Sequence, residues 1–385
     1  MKKITLSLLT GIICLTMLSA CSEVEKTSST YYLVTRLGAD TLAIEKVIKH
    51  EDSIEAQVIL RSPSLREAEY GFSLNPESAV LMRGVIRNGS SGELVTTQIA
   101  EWDEDSLLVT IGAGDRQRKV SNDPLILPFI DMVHWPFDLM LQNANVLAVG
   151  ETMEQPLWSG TRAFSFEIKR ITSDSMTLKH PSRGTMGVET TAEGQLQLLN
   201  ARQTTRKLTV TRVGSLDYEA LKARYVKLEE SGKSFGALSG RGKTEKTVSG
   251  VNYLIDFGTP EKRGREIWGG IVKYGERWRT GANRATHFKI DRDIMLGKLT
   301  VPAGEYTLFS IPQENYLSLI VNKQTGQNGQ SYDSSQDLGV VDLQALAINE
   351  VVEVFTIDIV EKDGKVYLSL QWDDKAYEVE IEPTT

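Results

Sequence analysis

Cysteine is almost absent from this chain: its 385 residues include two, Cys14 and Cys21, and none follows Cys21. A mature protein starting at Cys21 has no internal disulfide, so its stability has to come from packed cores, which a chain of this length can build. Histidine is nearly as scarce. His50, His134, His180 and His287 occur without an HExxH spacing, without a cluster and without a cysteine partner, so the usual zinc patterns are missing. Trp372-Asp373-Asp374 offers two adjacent acids, too few for a calcium site and better read as a solvated turn between strands. No glycine-rich loop leads from a strand into a helix, because the glycines between residues 236 and 242 are followed by no helical periodicity. Internal repeats and coiled-coil heptads are also lacking. The formal net charge of -8 disfavours nucleic acid and broad adhesion to anionic surfaces. None of these patterns implies a cofactor.

What is present begins at the start of the chain. Lys2-Lys3, an apolar run from Ile4 to Leu18 and small residues before Cys21 have the layout of a cleaved secretion signal. Leu18-Ser19-Ala20-Cys21 resembles the lipobox of bacterial lipoproteins. That resemblance implies removal of residues 1–20 as a signal peptide and a membrane anchor on Cys21, where several acyl chains hold stably and one alone would be marginal. Ser22 stands where an Asp would resemble an inner-membrane retention signal, so the expected location is the outer membrane, facing the periplasm or the surface. Residues 21–30 are polar and small, as in a flexible tether.

Without the signal about 365 residues remain, which at ordinary domain sizes suggests two domains. From Tyr31 to Ile111, and again from Arg162 to Val213, short β-branched and aromatic runs such as Ser53–Leu60 and Ala163–Ile168 alternate with polar residues. Asn88-Gly89 and Asp103-Glu104-Asp105 punctuate them as hairpin turns. An antiparallel, open or half-barrel-like sheet with one buried face follows. Between these blocks lies an apolar insert, residues 122–149, interrupted by Pro128, Asp131, His134, Pro136 and Asp138, which no membrane span would tolerate. Two short helices packed on the sheet are expected there, the first opened by Asp123-Pro124. Asp217 to Glu230 reads as an amphipathic helix with Leu221, Tyr225 and Leu228 on one face, closing a domain over residues 31–230. Residues 231–246, rich in Gly, Ser, Lys and Arg, read as a linker. Strand-like runs then resume over 247–382, divided by Pro302-Ala303-Gly304 and Lys362-Asp363-Gly364, and predict an antiparallel β-sandwich. The fold class is mainly β.

The stretch from Gly264 to Thr286, including Gly264-Arg265-Glu266-Ile267-Trp268-Gly269-Gly270 and Tyr274-Gly275-Glu276-Arg277-Trp278-Arg279-Thr280-Gly281-Ala282-Asn283-Arg284, resembles the signature of the DUF2911 family. Leu299 to Pro312, Val321 to Gly326 and Tyr332-Asp333 agree with it in order, so the resemblance spans roughly residues 238–382. The biochemical role of that family is unknown. Two departures stand out: Asn328-Gly329 where the family tends to have Trp-Gly, and Gly339 where it tends to have Arg. If those side chains line a family site, this member takes a changed ligand.

Within the signature, Lys262, Arg263, Arg265, Lys273, Arg277, Arg279 and Arg284 outnumber Glu261, Glu266 and Glu276, a basic segment in an acidic chain. Arg265, Arg279, Asn283, Thr286 and His287 are the candidate ligand-binding residues. Planar donors flanking the small turn Thr280-Gly281-Ala282 suit an anion or carbonyl pocket, and they suit equally a structural network that satisfies buried carbonyls. Arg279 is expected to be buried and multiply hydrogen-bonded, with Arg277 on the solvated face. The function these features suggest is non-enzymatic binding of a small or lipid-like ligand at the envelope, with the apolar insert as a lid or as a plug. Two alternatives are an envelope hydrolase or carbohydrate-active enzyme, with His287 as base beside Asp291 or Asp333, and a protein-docking module.

Overall fold

A computed structural model describes residues 28–75, 77–112 and 117–384; the expected signal peptide and Cys21 lie outside the described residues. The chain is mainly β, with one 15-stranded and one nine-stranded sheet. No helix among the described residues is long and apolar enough to cross a membrane.

The first sheet begins with a meander: β1 (Ser29–Leu37), β2 (Asp40–Lys49), β3 (Ser53–Leu60), β4 (Arg66–Ser73), β5 (Val80–Asn88), β6 (Leu94–Asp103), β7 (Ser106–Ile111) and β8 (Arg118–Ser121). The insert supplies β9 (Leu127–Pro128) and α1 (Trp135–Asn143). A second meander follows: β10 (Thr152–Ser159), β11 (Arg162–Arg170), β12 (Ser175–His180), β13 (Gly184–Thr190), β14 (Leu196–Asn200) and β15 (Leu208–Val213). β15 pairs with β1 and joins the halves, Tyr32 opposite Val213 and Leu37 opposite Leu208, and among the described residues of this sheet only the short β9–β10 pairing is parallel. The sheet curls until β8 comes against β11.

Alternation along each strand assigns the two faces. On β2, Glu45 and Val47 point to the concave side while Ile44 points to the convex side, and all three are buried. The concave face holds α1, whose Trp135, Phe137, Met140 and Leu141 are almost fully buried, each such side chain contributing about 1.5–3 kcal/mol. The insert is therefore a plug that completes the core. It holds one α-helix where two were expected, followed by a single 3-10 turn, Ala144–Val146. Asp123 does not open it: its carboxylate accepts from the Leu125 amide in a turn, and the helix starts later, with Pro136 in its first turn.

The cap of α1 comes from another element. Glu45, fully buried on β2, accepts hydrogen bonds from the His134 amide at 2.8 Å and the Trp135 amide at 2.9 Å, satisfying donors that the helix cannot satisfy itself. One turn on, Asp138 accepts from the Leu196 amide at 2.7 Å and from Arg212 at 2.8 Å, and the Arg212 guanidinium lies 3.5 Å over the Tyr31 ring. On the convex side α2 (Tyr218–Glu230) buries Tyr218 and Tyr225 against Ile44, Ile59 and Leu65, with Asp217 capping it through the Ala220 amide.

The second sheet contains β16 (Ser239–Val248), β17 (Val251–Pro260), β18 (Thr286–Ile290), β19 (Ile294–Leu296), β20 (Leu299–Val301), β21 (Gly304–Pro312), β22 (Tyr316–Asn322), β23 (Asp337–Lys362) and β24 (Lys365–Pro383). Its order is β16-β17-β18-β21-β22-β23-β24-β19-β20, so the two layers of the sandwich belong to one continuous sheet. β23 and β24 are long enough to serve both layers, and their register shifts between Ala347 and Thr356 mark the bend. β16 then reaches the far half of β23, with Lys246 Nζ donating to the Ile359 carbonyl at 2.8 Å. Phe288, Phe355, Trp372 and Tyr377 fill the space between.

The expected linker over 231–246 is shorter in the structure, because β16 already starts at Ser239. Its exposed Lys243, Glu245 and Lys246 give it the composition of a linker, which is also how an edge strand protects itself from further pairing.

Candidate functional site

The β1–β2, β12–β13 and β14–β15 turns of the first sheet face the long segment 261–285 that precedes β18 in the second. The contact is fixed at one point. The Ala39 amide donates to the Arg263 carbonyl at 3.0 Å, and the buried Arg263 guanidinium meets Asp40 at 3.2 Å, Glu261 at 2.8 Å and the Phe235 carbonyl at 3.1 Å. Gly38, at φ +63°, is required here: a Cβ would lie 2.0 Å from the Arg263 carbonyl oxygen.

Beside this contact the sheets leave a cleft of about 500 Å³, lined among others by Gln203 and Lys207 from the first sheet and by Arg265, Arg277, Arg279 and Asn283 from the second. It continues into a groove of about 600 Å³ through Gln203, Lys207, Arg265 and Ile271, which line both. Three of the sequence candidates, Arg265, Arg279 and Asn283, thus line one opening.

Arg279 differs from its expectation. It is half-buried, but its guanidinium has no hydrogen-bond or ion-pair partner among the described residues. Burial alone pushes its pKa below the usual arginine range. Its aliphatic stem lies against Gly329, where an added Cβ would approach the Arg279 Cδ to 2.3 Å, so the family departure at Asn328-Gly329 sits at the cleft. The neighbouring Trp278 turns into an aromatic cluster, 5.0 Å from Phe355 and stacked on Trp372 at 5.9 Å between centroids. Arg277 is exposed and stacks 4.0 Å over Tyr332.

The turn after Arg279 is strained and short of acceptors. Thr280 and Asn283 adopt φ +50° and +63°, values uncommon for residues with side chains. The Thr280 carbonyl accepts from Thr286 Oγ1 at 2.6 Å and the Thr280 hydroxyl donates to Ser310 at 2.9 Å. The amides of Thr280, Gly281 and Ala282, all buried residues, find no acceptor among the described residues. Asn283 accepts from the Gly329 amide through its carbonyl, at 2.9 Å, and leaves its side chain exposed.

Lys207 and Arg265 complete a set of three cations that meet no carboxylate. Arg265 donates to the carbonyls of Lys262, at 2.9 Å, and Glu261; burial first and Arg263 second bring its pKa down to about 10. Lys207, at φ +58°, has no partner among the described residues, and burial, Lys273 and Arg265 depress its pKa. Nearby cations are handled otherwise. Arg183 and Arg206 share Asp131, and Lys273 meets Glu276 at 3.5 Å.

Thr286 is fully buried and holds the turn rather than facing the cleft. His287 lines an adjoining cleft of about 280 Å³, which shares Ser239, Ala282 and Asn283 with the first and contains the Arg241–Asp256 ion pair. Its Nδ1 donates to the Ala285 carbonyl at 2.9 Å and its Nε2 accepts from the Gly326 amide at 2.9 Å. Both ring nitrogens are thus committed to backbone, so the imidazole has no lone pair free to act as a base. Its proposed partners are elsewhere: Asp291 binds Asn252, and Asp333 caps the 3-10 turn Ser334–Gln336. Gly339 packs against Leu299 and is not among the residues lining the cleft.

Lys207, Gln203 and the Asp131 pair escaped the sequence reading. They lie in or near turns of a domain that matches no motif, and only the Arg206-Lys207 pair at the foot of β15 gave a local charge signal.

The architecture defines a mainly β protein whose two antiparallel sheets meet at a basic cleft. Its second sheet is a DUF2911 domain: residues 239–381 match the family described as "Protein of unknown function (DUF2911)", starting where β16 starts. No curated protein matches the chain. Among solved structures, a beta-barrel-like protein of the domain of unknown function DUF1849 from Brucella abortus is similar at 7% identity, covering 48% of this chain and 93% of that chain, with a TM-score of 0.28.

Proposed function

We propose that this protein is a non-enzymatic binding protein of the bacterial envelope, anchored to the outer membrane through a lipidated Cys21, and that its ligand is a small anion held in the cleft between the sheets. The observation that carries the reading is Arg279: a half-buried guanidinium without a partner among the described residues, lining the cleft with Gly281 and Ala282, whose amides find no acceptor. A guanidinium fork in a cleft also lined by backbone with unpaired amides, here Gly281 and Ala282, suits phosphate or carboxylate. Strained backbone at Thr280 and Asn283 supports a binding role, since such strain clusters at ligand clamps.

A lipid-like ligand is less favoured by the opening beside α1, lined by Phe129, Phe137 and His180 among others, which measures about 30 Å³, enough for a water molecule. A docking module would gather exposed aromatics, and the large exposed apolar residues described are aliphatic apart from Tyr316. The test is the thermal midpoint of the protein against inorganic phosphate. Wild type is expected to rise with phosphate concentration, as for any ligand of the native state, and Arg279→Gln is expected to stay flat. A wild-type midpoint indifferent to phosphate contradicts the reading. The anchor is tested separately, by whether Cys21→Ala leaves the membrane pellet for the soluble fraction; a variant that resists a carbonate wash contradicts it.

A further inference from the structure

We propose that the ligand of this cleft carries two phosphate groups and bridges the two sheets, one group on Arg279 beside Gly281 and Ala282, the other between Lys207 and Arg265. This rests on the anion reading and adds a second charge and a second domain to it. Lys207 comes from the β14–β15 turn of the first sheet, whereas Arg265 and Arg279 come from the second. Three cations thus face one another across a junction, and no carboxylate among the described residues pairs with any of them. Like charges brought together out of water destabilise the contact unless something of opposite sign fills the space.

The chain shows that it can neutralise cations at this spot. The residue before Lys207, Arg206, is held together with Arg183 by Asp131, so the lack of a paired carboxylate at Lys207, on which Glu276 acts only from a distance, is a local choice. Lys207 also sits at φ +58°, a conformation a lysine rarely adopts, which aims a half-buried ammonium into the space shared by cleft and groove. That space exceeds what one phosphate fills. The about 500 Å³ cleft runs into the about 600 Å³ groove at Lys207 and Arg265, where a second group would lie, and Ile271 supplies an apolar wall between the charged ends.

The experiment is calorimetric titration of the intact protein with inorganic phosphate, pyrophosphate and a hexose bisphosphate, two bis-anions of different span. At least one bis-anion is expected to bind about tenfold or more tightly than inorganic phosphate, a difference one additional charge-assisted contact supplies. Lys207→Gln is expected to remove that advantage while leaving phosphate affinity within about twofold, and Lys207→Arg to keep it. Lys207→Met serves as a second neutral variant should the glutamine variant fold poorly. Two bis-anions no tighter than phosphate, or an advantage that survives Lys207→Gln, overturn the bridging proposal and leave the anion site standing. Absence of phosphate binding altogether removes both.

Discussion

The inside of the first sheet and the cleft between the sheets both keep charge away from water, and they treat it in opposite ways. Inside the sheet, Glu45 caps α1 through two amides, and Asp138 is held by Arg212 and the Leu196 amide. In the cleft, Arg279 and Lys207 are half-buried with nothing to bind. The same chain thus pairs charge where it serves the fold, as it also does for Arg263 at the contact of the two sheets, and leaves it unpaired at Arg279 and Lys207 in the cleft beside that contact. Unpaired desolvated charge costs stability, and that cost is what the proposed anion would offset.

The contrast can be broken most sharply from the inside. Asp138→Ala leaves Arg212 buried and uncompensated, and is expected to cost about 3–5 kcal/mol, read from the urea midpoint. A loss below about 1 kcal/mol, the scale of a surface pair, would show the interior pairs to be as dispensable as surface ones.

A smaller effect concerns pH. His180 packs among Phe129, Phe164 and Phe166, and burial first, then the Arg183 guanidinium, lower its pKa to about 4 against a partial counter-pull from Asp131. The unfolded chain takes up this proton near the ordinary histidine value of about 6.5, before the folded one does. Stability from the neutral ring is therefore complete above that value and is lost as the pH falls toward 4. His180→Gln is expected to flatten this part of the curve of unfolding midpoint against pH. An unchanged slope between neutrality and pH 4 places the proton uptake on other groups.

The smallest effect is on the rim. Arg277, exposed and stacked on Tyr332, is expected to lose no more than about 1 kcal/mol of stability on change to alanine, in line with a solvent-exposed cation–π contact. A large loss would move the boundary between structural and ligand-facing cations one residue outward from Arg279.

How much of this the sequence discloses depends on whether a feature is local. Thr286–Ile290 and Ser53–Leu60 are strands over the residues that their alternation marks, because each buries one face. The helix Tyr218–Glu230 follows its Asp217 cap. β16 was hidden because an edge strand made of Lys, Glu, Thr and Gly has no buried face to alternate. The folding of nine strands into two layers by a bend in β23 and β24 is a long-range event without a local signature. At the site, grouping Arg265, Arg279 and Asn283 was possible because one short segment carries all three. Whether Arg279 has a partner was not, since pairing depends on which side chains other elements bring near. Lys207 was out of reach for the same reason: nothing in Thr205-Arg206-Lys207 says that this turn faces the other domain.

The central claim is that Arg279 is kept for a ligand and not for the fold, and the unfolding free energy of Arg279→Gln against wild type, with and without saturating inorganic phosphate, tests it most directly. Without phosphate the variant is expected to be as stable as wild type or slightly more so, because removing an unpaired, half-buried charge relieves desolvation and repulsion. With phosphate, wild type alone gains, so that the order of the two reverses. A variant weaker by about 3 kcal/mol or more in the absence of phosphate, the cost of breaking a buried pair, would contradict the account and make Arg279 part of the fold.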